Sequence, residues 1–315
     1  MSTWDWDNTR SPTASLTALV IADHDAAEAS AALDATGARL LGRVAWAQAS
    51  ARLEDQGPLR LIALDCTGVA DATLVAMLPS IDTFARENEA RLVATLDSSQ
   101  VDLVAANLFG AHVELLCAPS LAERVAAYAL SLSQGDGARV SDSARDVETV
   151  RLRRLNEEIA RIAETLARLS RTDADSSSRG RIADRTLGYS APPAAAIDTP
   201  PIAPREVRAA IRARRLRDQF FDAGLFEDPA WDILLDLFAA ELERAQVSVS
   251  SLCIAAAVAP TTALRWIAKM TESGMLVRVP DPFDRRRAFM ELSAKTSEAV
   301  RGYLAAVKRA GLVAV

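Results

Sequence analysis

The stretch VSVSSLCIAAAVAPTTALRWIAKMTESGMLVRVPDPFDRRRAFMELS, residues 247–293, decides how the C-terminal part of this chain folds. Its serines can cap a short apolar helix, because their hydroxyls accept from the unpaired amides of a first turn. Pro260 suits the first turn of a second helix, where a missing N–H removes no bond, and Gly274 suits its stop. MLVRV then reads as a strand, PDPFDRRR as a turn with three consecutive arginines, and AFMELS as a returning strand. On the second helix Leu264, Ile267 and Ala268 are expected to face a core. Thr261, Thr262, Arg265 and Lys269 share a polar face at helical spacing.

Two short helices backed by a charged hairpin make a winged helix. That arrangement lets one helix enter the major groove of double-stranded DNA while the hairpin reaches phosphate or the minor groove. Arg265 can bond guanine bidentately, Thr261 or Thr262 can meet phosphate or a thymine methyl, and Lys269 lies on the same face. Arg285, Arg286 and Arg287 are the phosphate or minor-groove candidates, with one of them turned toward Asp284 or the strand. Trp266 reads as a packing residue.

Composition bounds the rest. The chain has 315 residues, 50% of them hydrophobic and 25% charged, which fits a globular protein of two domains. No apolar run is long enough to cross a bilayer, and MSTWDWD lacks a basic region before an apolar one, so a cytoplasmic protein is expected. Cys66, Cys117 and Cys253 are odd in number and far apart, and His24 and His112 have no partner at metal-site spacing. Residues 1–150 carry 10 basic and 21 acidic side chains, whereas residues 205–315 carry 17 and 14. Only the C-terminal part therefore favours a polyanion.

A multidomain layout follows. Residues 1–14 read as a disordered tail. Residues 15–133 alternate apolar strands with amphipathic helices, the pattern of an α/β, doubly wound, parallel five-stranded sheet covered on both faces. Its strand ends, where function gathers in such sheets, carry Asp23, Asp65 and Thr95. In residues 143–171, Leu152, Leu155, Ile159, Ile162, Leu166 and Leu169 form a short heptad seam, which favours a coiled-coil homodimer. Residues 172–204, rich in Pro, Ser and Ala, read as a linker. Residues 205–315 are the α+β winged helix-turn-helix, opened by a helix over 205–221 that buries Val207, Ile211, Leu216, Phe220 and Phe221, and closed by a helix over about 294–309.

Two resemblances can be stated on these residues. IADHD, IALDCTG, VATLD and LCAPS at successive strand ends resemble a response-regulator receiver domain. That resemblance implies Asp65 as phosphoacceptor, Asp23 as one acid of a Mg²⁺ site and Thr95 as the sensing hydroxyl. The chain departs from the pattern at His24, in the second acidic position, and at Ala118, where the family has a lysine; Lys269 is the first lysine in the chain. Without that cation the domain is read as receiver-like but degenerate. TTALRWIAKM and DPFDRRRAFMELS resemble the MarR-type winged-helix regulators, which implies dimerisation through the outer helices and reading of a pseudo-palindrome. The expected function is a dimeric, sequence-specific transcriptional regulator with a receiver-like domain for signal input or dimerisation. The alternative is a protein-interaction scaffold whose winged helix has lost DNA. An enzyme is not expected: Cys66 beside Asp65 has no histidine placed to serve it, and a neighbouring carboxylate raises a thiol's pKa.

Overall fold

The computed structural model describes residues 16–23, 26–133, 201–222 and 224–312. The expected tail, the heptad helix over 143–171 and most of the linker over 172–204 lie outside the described residues, as do His24 and Asp25.

In the α/β part, β1 (Thr17–Ile21), β2 (Arg39–Val44), β3 (Leu61–Asp65), β4 (Arg91–Leu96) and β5 (Val113–Cys117) form one parallel sheet in the order β2-β1-β3-β4-β5. The helices are α1 (Ala27–Thr36), α2 (Ala49–Glu54), α3 (Asp71–Glu87), α4 (Val101–Asn107) and α5, residues 121–133. Alternate strand residues feed two cores, as a pleated strand requires. Ala18, Val20 and Ala63 pack with Leu33, Tyr128 and Leu132 on one face, and Leu19, Ile21 and Leu64 pack with Leu53, Leu74 and Leu78 on the other. The five-stranded parallel sheet is the expected one.

The residues alone suggest a helix over about 80–88, but α3 begins earlier, at Asp71, and runs through Pro79. Proline inside a helix costs about 3 kcal/mol because it removes an amide bond and crowds the preceding turn. Here Pro79 is exposed, so the freed carbonyl can turn to water, while Leu74, Leu78, Ile81 and Ala85 hold a continuous buried seam on the opposite side.

The winged helix consists of α6 (Pro204–Leu216), α7 (Pro229–Glu243), β6 (Val247–Ser248), α8 (Val249–Ala255), α9 (Pro260–Glu272), β7 (Leu276–Pro280), β8 (Ala288–Leu292) and α10 (Ala294–Arg309). The three strands are antiparallel in the order β6-β8-β7. Local chemistry sets its boundaries. Ser248, Asp228 and Ser293 cap α8, α7 and α10 by accepting from the amides of Ser251, Trp231 and Thr296. Gly274 takes φ 71° just past α9, a conformation that an L side chain resists. The helix expected to reach Phe221 ends sooner, at Leu216, and a 3₁₀ turn follows at Arg217–Gln219. Leu216, Phe220 and Phe221, expected in the core, are exposed, Phe220 at 74%. The turn takes Phe220 and Phe221 off the face that buries Val207 and Ala210, while Leu216 lies at the end of α6 itself.

Residues 16–133 and 201–312 belong to one compact unit. A single apolar cluster runs through both parts, from Leu64 and Leu115 in the sheet to Leu237, Ile267 and Met290 in the winged helix.

Candidate nucleic-acid interface

Helices α8 and α9 meet at 110°, the crossing of a helix-turn-helix. Leu264 and Ile267 anchor α9 in the core as expected, whereas Ala268 is only half-buried. At the far end of α9 the Lys269 ammonium lies 5.0 Å from the centre of the Trp266 ring, a cation–π contact, with Lys269 itself exposed. The hairpin carries Arg285, Arg286 and Arg287 at its tip, all exposed, beside Phe283, which is 97% exposed. Asp281 accepts from the amides of Phe283 and Asp284 and so closes the turn. Arg286 donates to Asp284 through Nε at 3.1 Å and Nη2 at 3.3 Å. That side-chain bond, with the one from the Arg286 amide, holds the Asp284 carboxyl below its ordinary range.

The first half of α9 is placed differently from the expectation. Thr261, assigned to the DNA-facing side, is 5% exposed. Its Oγ1 accepts from the Cys117 amide at 3.0 Å and lies 3.4 Å from the Cys117 carbonyl oxygen, to which it can donate. The reason lies in the sheet: β5 is an edge strand, and Cys117 turns its amide and carbonyl away from β4. An unpaired strand edge calls for a polar cover, and the threonine hydroxyl supplies both a donor and an acceptor. One turn along, Arg265 donates through Nε, at 2.8 Å, and through Nη2 to the Glu114 carboxylate on the same strand. Arg265 keeps 49% of its side chain exposed, while Glu114 keeps 12%. Thr262 is half-buried.

Further contacts join the same two parts. Asp102 of α4 accepts from the Ser250 amide at 2.8 Å and from its hydroxyl at 2.6 Å. Arg278 of β7 donates to the carbonyls of Ala105 and Ala106, at 2.7 and 3.0 Å, near the C-terminal end of α4 where a cation is favoured. Asn107 donates to the Arg285 carbonyl at 3.4 Å, and Arg286 Nη1 lies 3.8 Å from Asp71. Of the seven predicted DNA contacts, Thr261, Arg265 and Arg286 therefore meet the α/β part, Thr262 is half-buried, and the side chains of Lys269, Arg285 and Arg287 are open to solvent. Glu114 and Asp102 were missed in the sequence, where an acid on a strand or a helix surface reads as an ordinary solvated residue.

The crevice at the sheet's strand ends is differently built from the receiver pattern. Asp23 accepts from the Trp46 amide at 2.8 Å, and Asp65 from the Thr67 amide at 3.1 Å. The buried Trp46 indole donates to the Asp65 carbonyl, also at 2.8 Å. Thr95 is buried and accepts from Arg124, whose guanidinium also reaches Glu28 at 3.2 Å. A cation thus stands against Thr95, supplied by an arginine on α5 and not by a lysine before Pro119. Among the described residues, no three carboxylate, histidine or cysteine side chains converge to hold a metal. All three cysteines are buried; burial, and then the Asp65 charge, push the Cys66 thiol far up, which leaves it a poor nucleophile.

No protein-family model matches the chain, and no curated protein sequence matches it. Among solved structures, it is similar to S. aureus MepR bound to ethidium bromide, at 14% identity and a TM-score of 0.25, over 34% of this chain and 74% of that one. It is likewise similar to a mutant MarR from E. coli, at 17% identity and a TM-score of 0.22, over 31% of this chain and 70% of that one. The heme sensor protein PefR from Streptococcus agalactiae, in complex with heme, matches at 16% identity and a TM-score of 0.23, over 32% and 72% of the two chains. The winged-helix assignment rests on this chain's own helices and hairpin.

Proposed function

We propose that this chain is a sequence-specific, DNA-binding transcriptional regulator that acts as a homodimer. The observation that carries the reading is the joint placement of α9, which carries Arg265 and Lys269, with a hairpin whose tip exposes Arg285, Arg286 and Arg287. A helix for the groove and a basic loop for the flanking phosphates are the two parts that such recognition needs. Following the resemblance to MarR-type regulators, we assign the dimer contact to the outer helices. In support, an apolar groove of about 430 Å³ lies between α6 and α10, lined by Val207, Ala210, Leu304 and Val307. The heptad seam over 143–171 is assigned the same role.

A direct test is binding of the whole chain to duplexes selected from a random pool, measured over a salt series. Affinity is expected to fall steeply with salt, because each neutralised phosphate releases a counterion. Binding that is absent at every salt concentration sinks the reading. The second reading, a winged helix recruited to protein contact, is favoured by the burial of Thr261 against β5, and that result would select it.

For the strand-end crevice we propose a protein-contact role without phosphoryl transfer, supported by Asp23 accepting from the Trp46 amide and by Arg124, in place of a lysine, standing against Thr95. Intact mass after incubation with acetyl phosphate and Mg²⁺ is expected to be unchanged. A phosphoryl adduct lost on substituting Asp65→Asn would overturn this assignment.

A further inference from the structure

The contacts of α9 with β5, and of α8 with α4, have a consequence for how DNA reaches this protein. Helix-turn-helix proteins read bases chiefly with the N-terminal part of the second helix. In this chain that part is occupied: Thr261 is bonded to the Cys117 backbone and Arg265 to Glu114. Asp102 holds Ser250, at the start of the other helix of the motif. Asp71 faces Arg286 of the wing. The carboxylates all come from the part of the chain that carries the acidic excess, and they meet basic or donor groups that a duplex would otherwise use. Lys269, Arg285 and Arg287 stay open, so an electrostatic foothold for a polyanion remains while the base-reading groups are engaged.

We propose that the α/β part is a built-in competitor of DNA, an acidic face of α4 and β5 that clasps α8 and α9. Sequence-specific binding then requires the clasp to open. The proposal rests on the reading of α9 as a DNA helix. In the clasped form the wing arginines hold DNA of any sequence weakly, and opening adds the contacts of Arg265 and Thr261. The apparent affinity for an operator is the intrinsic one reduced by the fraction of molecules that are open. Any weakening of the clasp raises that fraction.

The test uses the full chain with Glu114→Gln and Asp102→Asn combined. These changes keep shape and remove two charges, so the fold is retained, which circular dichroism checks. The control, Asp34→Asn with Glu54→Gln, removes the same charge from exposed carboxylates of α1 and α2. Two quantities are read. One is affinity for a selected operator and for random duplex. The other is the rate at which maleimide labels Cys117 and Cys253, which are buried in the unit. The clasp variant is expected to label faster and to bind the operator about tenfold more tightly, with little change on random duplex. The control is expected to match wild type in both. Labelling and operator affinity that stay at wild-type values, with salt-sensitive DNA binding intact, overturn the clasp alone. Faster labelling with no duplex binding by any form overturns the proposal together with the DNA reading.

Discussion

Arg265→Ala is expected to flatten the base preference of the operator, and Arg286→Ala to weaken binding to every duplex alike. A bidentate arginine–guanine pair discriminates by about 1–3 kcal/mol, so its loss appears as specificity. A phosphate contact carries no sequence information and appears as a smaller salt slope, reduced by roughly one charge. Arg265 has a second effect in this chain. Its guanidinium is bound to Glu114, so removing it also loosens the contact that covers the helix. The two effects oppose each other in the wild-type background, and the measured loss is expected to be smaller there. With Glu114→Gln already present, the full loss is expected. A mobility-shift series with both variants in both backgrounds decides the matter. Wild-type binding by both variants would mean that the reading surface lies elsewhere.

Asp232→Ala is expected to lower the thermal midpoint by roughly 10 °C, through a loss of about 3–5 kcal/mol. Arg214 and Asp232 join α6 to α7 with side chains only 8% and 7% exposed, and Arg214 Nε donates to Oδ1 at 2.9 Å. A buried ion pair adds little by itself, because desolvation offsets the attraction. Removing one member is different, since the other charge stays buried without its partner. Asp228, 3.5 Å from Arg214 and half-exposed, is too solvated to take the role over. Asp232 also lies 3.5 Å from Arg215, which donates to the Ala255 carbonyl and so ties α6 to the end of α8. Differential scanning calorimetry on the full chain measures the shift. A midpoint within about 2 °C of wild type would show that the pair is not needed to hold α6 in place.

Much of this architecture was legible along the chain because the deciding forces are local. The near-continuous apolar runs TALVI and LIALD report strands buried on both faces. Pro260 and Gly274 bracket α9, and Asp228 caps α7 with Pro229 at its first turn. In each case the residue that sets the boundary acts within a few positions of itself. Where a local rule competes with burial or with a turn of the chain, the local signal alone does not decide. Pro79 signals a helix end, yet the buried seam from Leu74 to Ala85 carries the helix through it. Phe220 and Phe221 look like core residues, yet the chain turns before they can enter it.

The partner of the reading helix belongs to a different class of question. Thr261 and Arg265 form the same polar stripe whether they face water, a duplex or a neighbouring strand. Periodicity records that a side chain is polar and where it points around its own helix. It does not record what stands opposite. That was settled by contacts spanning 144 and 151 residues, from Thr261 to Cys117 and from Arg265 to Glu114, which exist only after the sheet has formed and left β5 at its edge. The sequence by itself determined which elements exist and which of their faces are polar. Only the tertiary structure decided that one such face meets an acid of the same chain, because hydrogen bonds and ion pairs depend on distance through space and not on separation along the backbone.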